Sequence, residues 1–94
     1  TLNKDEVKEI SKIMLDELTK RIKDNLNINI SFTDKAMDKI ADIGYDSNYG
    51  ARPLRRAIQT NIEDIFAEKY LDEAFESGDN ISIDYTDKFV FNKI

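Results

Sequence analysis

Val7, Ile10, Met14, Leu18 and Ile22 recur at helical spacing, and Ile13 and Leu15 widen the same apolar stripe. The spacing predicts a first helix from near Asn3 to near Asn25. Asn3 can cap it, Glu6 completes an Asn-x-x-Glu capping box, and Leu2 with Val7 fits a hydrophobic staple. Asp5 and Glu6 in the first turn and Lys20, Arg21 and Lys23 in the last turns suit the helix dipole. From Leu26 the period changes. Ile28, Ile30 and Phe32 alternate with Asn29 and Ser31, the pattern of a half-buried strand.

Thr33 then reads as an N-cap for a short helix through Asp42 or Ile43, with Ala36, Met37, Ile40 and Ala41 facing inward. Gly44 fits the left-handed position that ends a helix. A third helix is expected from about Ala51 or Pro53 to about Leu71, burying Leu54, Ile58, Ile62, Ile65 and Phe66. Leu71 to Asp79 reads as irregular, with a turn of helix around Phe75 and a tight turn at Gly78-Asp79. Ile81 to Tyr85 alternates as a strand, and Phe89 to Phe91 is its hairpin partner. The order is helix, strand, helix, helix, strand, strand. It predicts an α+β domain of three helices and a small three-stranded sheet over residues 1–94.

One stretch departs from these periodic patterns. Gly44-Tyr45-Asp46-Ser47-Asn48-Tyr49-Gly50-Ala51-Arg52-Pro53-Leu54-Arg55-Arg56 holds two of the three glycines, the only proline and three arginines. Pro53 pushes Arg52 toward extended geometry and suits a helix's first turn. Arg52 therefore sits at a helix mouth, beside free N–H groups and the positive end of the dipole. A cation is badly placed there unless an anion joins it, and phosphate is the natural anion. Gly50 and Ala51 leave room for a ligand to approach the backbone. The plainer alternative is an ordinary helix start, with Arg52 paired to Asp46 or to a surface glutamate.

Composition narrows the chemistry. The chain has 94 residues, enough for one small domain, and no apolar run approaches the ~20 residues of a membrane span. The polar, helix-like start from Thr1 to Lys8 argues against a signal peptide. Without cysteine there is neither disulfide nor thiolate chemistry, and without histidine the commonest general base and metal ligand is missing. A net charge of −5, with Glu63 and Asp64 on the third helix, argues against reading Arg52, Arg55 and Arg56 as a nucleic-acid patch. Tyr45 and Tyr49 read as packing the loop onto the core rather than stacking on a base. Asp5, Glu6, Glu9, Asp16 and Glu17 spread around the first helix as a solvated face, and Asp72, Glu73, Glu76 and Asp79 lack EF-hand spacing, so no metal site is expected. No serine or threonine has an evident base partner, which argues against an independent hydrolase.

Gly44-Tyr45-Asp46 followed by Tyr49-Gly50-Ala51-Arg52-Pro53-Leu54-Arg55-Arg56-Ala57-Ile58-Gln59 closely resembles the C-terminal small subdomain of Clp-family AAA+ unfoldases. The resemblance covers nearly the whole chain. Leu15, Leu18, Lys20 and Arg21 fit the family's first helix, Thr33-Asp34-x-Ala36 its second, and Gly78-Asp79-x-Ile81 the start of its final hairpin. Met14 to Lys23 is similar to the ClpC branch more than to the ClpB branch.

The resemblance implies that residues 1–94 are a lid subdomain cut from a longer ATPase. Arg52 takes the position of the sensor-2 arginine, reaching the γ-phosphate of ATP, with Gly50 and Ala51 beside it. ATP and its Mg ion would be held by a large AAA+ subdomain of the same chain. Neighbouring subunits of a homohexamer, protein substrates and a Clp-type peptidase are the implied partners, with no nucleic acid and no membrane. The compartment implied is a bacterial cytoplasm or a plastid-type stroma, and the many Ile, Lys, Asn and Asp residues suit an AT-rich genome in either.

The chain lacks the phosphate loop, Walker-B strand and pore loop of the full family pattern, so alone it is expected neither to hydrolyse ATP nor to bind it tightly. Ile65 stands where many relatives carry proline, so the third helix can run unbroken. Asp72-Glu73 stands where many carry glycine. The competing reading is a free-standing protein-interaction module that shares this fold.

Overall fold

The computed structural model describes residues 2–94, so Thr1, where the helix-like start of the sequence begins, lies outside it. Helix α1 spans Lys4–Leu26 and is opened by the expected capping box. The Asn3 side-chain oxygen accepts from the Glu6 N–H at 2.9 Å, and the Glu6 carboxylate accepts from the Asn3 N–H at 3.1 Å. The helix ends at Asn27, in the left-handed region at φ 57°, a conformation asparagine tolerates better than most residues.

The buried face of α1 is rotated from the predicted stripe. Val7, Ser11, Leu15, Leu18 and Ile22 are buried, Ile10 and Met14 are half-buried, and Ile13 is 60% exposed. At 100° per residue Ile13 lies across the helix from Ser11 and Leu15. Ser11 can take a core position because its hydroxyl donates back to the carbonyls of Val7 at 3.1 Å and Lys8 at 2.9 Å.

Strand β1 is Asn29–Phe32, shorter than the predicted run because Leu26 completes α1, although Ile28 is still fully buried. Strands β2 (Asn80–Tyr85) and β3 (Phe89–Lys93) form the hairpin. The sheet order is β1-β2-β3, with β1 and β2 parallel and β2 and β3 antiparallel. The register puts Ile30 beside Ile81, Phe32 beside Ile83 and Ile83 beside Phe91, so one face is apolar. Ser31, Ser82, Asp84 and Asn92 occupy the other. A parallel pair needs a crossover, and the whole segment from α2 through the third helix supplies it.

Helix α2 spans Asp34–Gly44 and buries Ala36, Ile40 and Ala41, with Met37 half-buried. Thr33 caps it, accepting from the Ala36 N–H at 3.2 Å, while its hydroxyl donates to Asp84 on β2 at 2.6 Å. One hydroxyl thus ties the helix start to the sheet.

Gly44 does not take the expected left-handed conformation; it is the last helical residue, followed by an extended Tyr45. Its lack of a side chain has a different cause. A Cβ there would stand 2.5 Å from Leu54 Cδ1 and 2.9 Å from Leu54 Cα. Glycine lets α2 and the next helix touch at this point, and the contact brings together the two ends of the loop between them.

The third helix, α3, is continuous but not uniform. Leu54–Ile58 is α-helical, Gln59–Glu63 is a π turn and Asp64–Leu71 is α-helical again. Within the π turn the Asp64 N–H donates to the Gln59 carbonyl, five residues back. The Asn61 side chain donates to the Ala57 carbonyl at 2.9 Å. Leu54, Ile58, Ile62 and Phe66 are all buried at strict four-residue spacing, with Ile65 only half-buried. In an ideal α-helix each such step overshoots a turn by about 40°. The wider π turn takes up part of that drift and keeps the four residues on one face. No proline interrupts the helix at Ile65.

No helix forms around Phe75. After Leu71 the Glu73 N–H donates to Tyr70 O at 3.0 Å and the Ala74 N–H to Lys69 O at 2.9 Å, the paired bonds of a Schellman stop. Glu73 occupies its left-handed position at φ 65°. Phe75 is buried and its ring stacks on Phe66 at 5.4 Å. No helix among the described residues is long and apolar enough to cross a membrane.

Candidate functional site

The loop between α2 and α3 is built on Asp46. Its backbone pairs with Gly50 in both directions, Asp46 N–H to Gly50 O at 2.9 Å and Gly50 N–H to Asp46 O at 2.7 Å. Its carboxylate also accepts from the N–H groups of Asn48 at 2.7 Å and Tyr49 at 3.0 Å. A turn closed this tightly needs a positive φ, and Gly50 provides it at 63°. Asp46 acts here as the closing residue of an Asx turn rather than as an ion partner for Arg52, and its place two and three residues before Asn48 and Tyr49 is the sequence signal of that turn.

Gly50 is buried, with Leu2 the nearest neighbour to its missing side chain, and Ala51 is packed against the core. Arg52 is exposed, and its guanidinium carbon lies 5.0 Å from the centre of the Tyr49 ring. The Arg52 N–H donates to Tyr49 O at 3.2 Å. None of the ion pairs among the described residues involves Arg52, and Oδ1 of Asp46 accepts from two loop N–H groups instead. The pairing of Arg52 with Asp46 or with a surface glutamate is therefore not formed among the described residues.

Helix α3 begins after Pro53 with no side-chain cap. The Leu54 N–H turns back to Ala51 O at 3.0 Å and the Ala57 N–H to Pro53 O at 3.0 Å. Arg52 and Arg56 line an open groove together with Ile43, Pro53, Ala57 and, from the π turn, Thr60 and Asn61. Arg55 points elsewhere, into a depression beside Met14, Glu17 and Arg21 of α1. The three arginines that sit together in sequence are thus divided between two sides of α3.

The two loop tyrosines also part. Tyr45 is half-buried and packs on the core, as expected, but Tyr49 is 60% exposed beneath Arg52. The arrangement offers the guanidinium of Arg52, unpaired among the described residues, at an uncapped helix start, with Arg56 on the same groove. It suits one side of a phosphate site and supplies no second side.

Several other charged side chains form ion pairs on the surface. Lys4 pairs with Asp42 and Lys8 with Asp38, joining α1 to α2, and each lysine is held above its ordinary pKa by its hydrogen bond to that aspartate. Arg21 meets Glu63 of the π turn at 3.1 Å. Among the described residues no group of three or more His, Cys, Asp or Glu is placed to hold a metal ion.

Comparison with known proteins identifies the family of the chain. The model of the C-terminal, D2-small domain of ClpB protein matches residues 2–83. The ATP-binding subunit ClpC of the ATP-dependent Clp protease from Staphylococcus aureus (strain USA300) is 51% identical over 87 residues, covering 93% of this chain. The chaperone protein ClpB of Oceanobacillus iheyensis is 44% identical over 91 residues, covering 97% of this chain. The chain spans 10% of the first of these relatives and 11% of the second, so it corresponds to one small part of each. On the match of the domain model and of both relatives across nearly its full length, the chain belongs to the family of C-terminal small (D2-small) domains of Clp ATPases.

Proposed function

We propose that this chain is the lid subdomain of an ATP-dependent Clp protein unfoldase and that Arg52 is its sensor-2 residue. The observation that carries the reading is the exposed Arg52 guanidinium, without a carboxylate partner among the described residues, at the uncapped start of α3. Arg52 donates to a terminal phosphate oxygen of ATP held, with Mg, by the large AAA+ subdomain of the same chain. Gly50 and Ala51 set the backbone that presents it. A charge-assisted hydrogen bond of this kind contributes roughly 1.5–3 kcal/mol, enough to bias a hinge without locking it.

Arg52 makes this contact before hydrolysis and loses it when the terminal phosphate leaves. The lid angle then follows nucleotide state. Exposed faces of α1 and the sheet pass that motion to the neighbouring subunit of a homohexamer, which acts on protein substrates and feeds a Clp-type peptidase. The bacterial relatives support a bacterial cytoplasm and give no support to a plastid stroma.

The test is Arg52→Ala in the full-length protein. Severely reduced ATPase and unfolding activity with unchanged circular dichroism is expected, and wild-type ATP turnover would remove Arg52 from the mechanism. The gene offers a second check. A Walker-A and Walker-B pair should lie within the few hundred residues before Thr1, and its absence would end the lid reading.

A further inference from the structure

We propose that Tyr49 is a positioning residue for Arg52, a cation–π platform that holds the guanidinium in place at the mouth of α3. The inference rests on the reading of Arg52 as the residue that senses the terminal phosphate of ATP. Tyr49 is 60% exposed, so core packing does not account for a large aromatic residue here. Its ring centre lies 5.0 Å from the Arg52 guanidinium carbon, within the range of a cation–π contact.

The ring's own position is set by the loop. The Tyr49 N–H donates to the Asp46 carboxylate at 3.0 Å, and Tyr49 O accepts from the Arg52 N–H at 3.2 Å. Asp46, Tyr49 and Arg52 therefore form a chain of placement at three-residue intervals.

An aromatic face differs from a carboxylate as a partner for a sensing arginine. A carboxylate would occupy the N–H donors and compete with phosphate. The face of a ring attracts the cation and leaves those donors, which lie in the guanidinium plane, free for phosphate oxygens. It also restricts the rotamers of a long exposed side chain before nucleotide arrives, so less ordering opposes the phosphate contact.

The experiment measures binding of fluorescent ATPγS and ADP analogues to the full-length protein, read as the preference for the triphosphate. Tyr49→Phe keeps the ring and is expected to keep the preference. Tyr49→Leu keeps bulk without a π face and is expected to lower the preference about threefold to fivefold, as a cation–π contact at an exposed site implies. In an Arg52→Ala background Tyr49→Leu is expected to change nothing further, because the ring acts only through Arg52.

Two results would overturn the platform while leaving Arg52 its role. One is an unchanged preference in Tyr49→Leu beside a lost preference in Arg52→Ala. The other is an equal loss from Tyr49→Leu in both backgrounds, which would mean that the ring touches nucleotide or a neighbouring surface directly. An unchanged preference in Arg52→Ala would overturn the sensing role and the platform together.

Discussion

Residues 45–53 and 72–79 are two irregular connections of similar length, and they place Tyr49 and Phe75 in opposite ways. The 72–79 connection turns Phe75 inward, buried against Phe66, and docks on α1 through the Gly78 N–H, which donates to Asn27 O at 2.8 Å. The 45–53 connection is closed by Asp46 and Gly50, packs Tyr45 and Ala51 inward, and leaves Tyr49 and Arg52 outside as a cation–π pair. The first places its free aromatic where it stabilises the fold. The second uses backbone hydrogen bonds for its own stability and keeps two side chains available for something else. Exposure of a large aromatic and a cation on an otherwise well-tied loop is the mark of a presented surface rather than of poor packing.

The sharpest test of that contrast is truncation of each aromatic. Phe75→Ala is expected to lower the unfolding free energy of the 94-residue chain by about 3–5 kcal/mol, and Tyr49→Ala by less than about 0.5 kcal/mol. Comparable losses in urea denaturation would mean that both loops are held by their rings.

Gly44→Ala comes next. The added Cβ meets Leu54 backbone at 2.9 Å, where no side-chain rotation relieves it. A loss of about 1–3 kcal/mol is expected, and a neutral result would show that the α2–α3 contact yields easily.

Glu73→Gly should act in the opposite direction. It relieves a left-handed residue at φ 65° in the Schellman stop, and a gain of about 0.5–1 kcal/mol in thermal unfolding is expected.

Acid probes the 72–79 connection by another route. The Glu76 N–H and the Lys93 ammonium hold the Asp79 carboxyl below its ordinary value of 3.8. On β2, the Thr33 hydroxyl and the Tyr85 N–H do the same for Asp84. A carboxylate whose folded pKa is depressed adds stability above its unfolded pKa and loses it as pH falls through the folded one. Stability is therefore expected to drop below about pH 4, with Asp79→Asn and Asp84→Asn flattening that part of the profile. An unchanged acid limb in both variants would assign the loss to other groups.

Much of the architecture could be read from short-range signals. The Asn3–Glu6 box, the Thr33 cap, the alternation at Ile81 and Ile83 and the Gly50-Ala51-Arg52-Pro53 loop each depend on residues within a few positions of one another. Rules of periodicity and capping reach that far. The same stretch also carries the likeness that marks the chain as a Clp small domain.

Other features depend on partners distant in sequence, and those the pattern misjudged or left silent. Ile13 has the right character for the core and the wrong angle on α1. Gly44 looked like a left-handed helix stop and proved to be a point of close approach to Leu54, ten positions on, which no local rule reads. The π turn answers the need to keep Leu54, Ile58, Ile62 and Phe66 on one buried face. The parallel pairing of β1 with β2 joins residues some fifty positions apart.

Arg52 falls between the two groups. Local chemistry placed a cation at the start of α3. Its freedom from Asp46 and its seat on Tyr49 came from how the loop closes, because hydrogen bonds and packing choose among partners that the chain order leaves equally near.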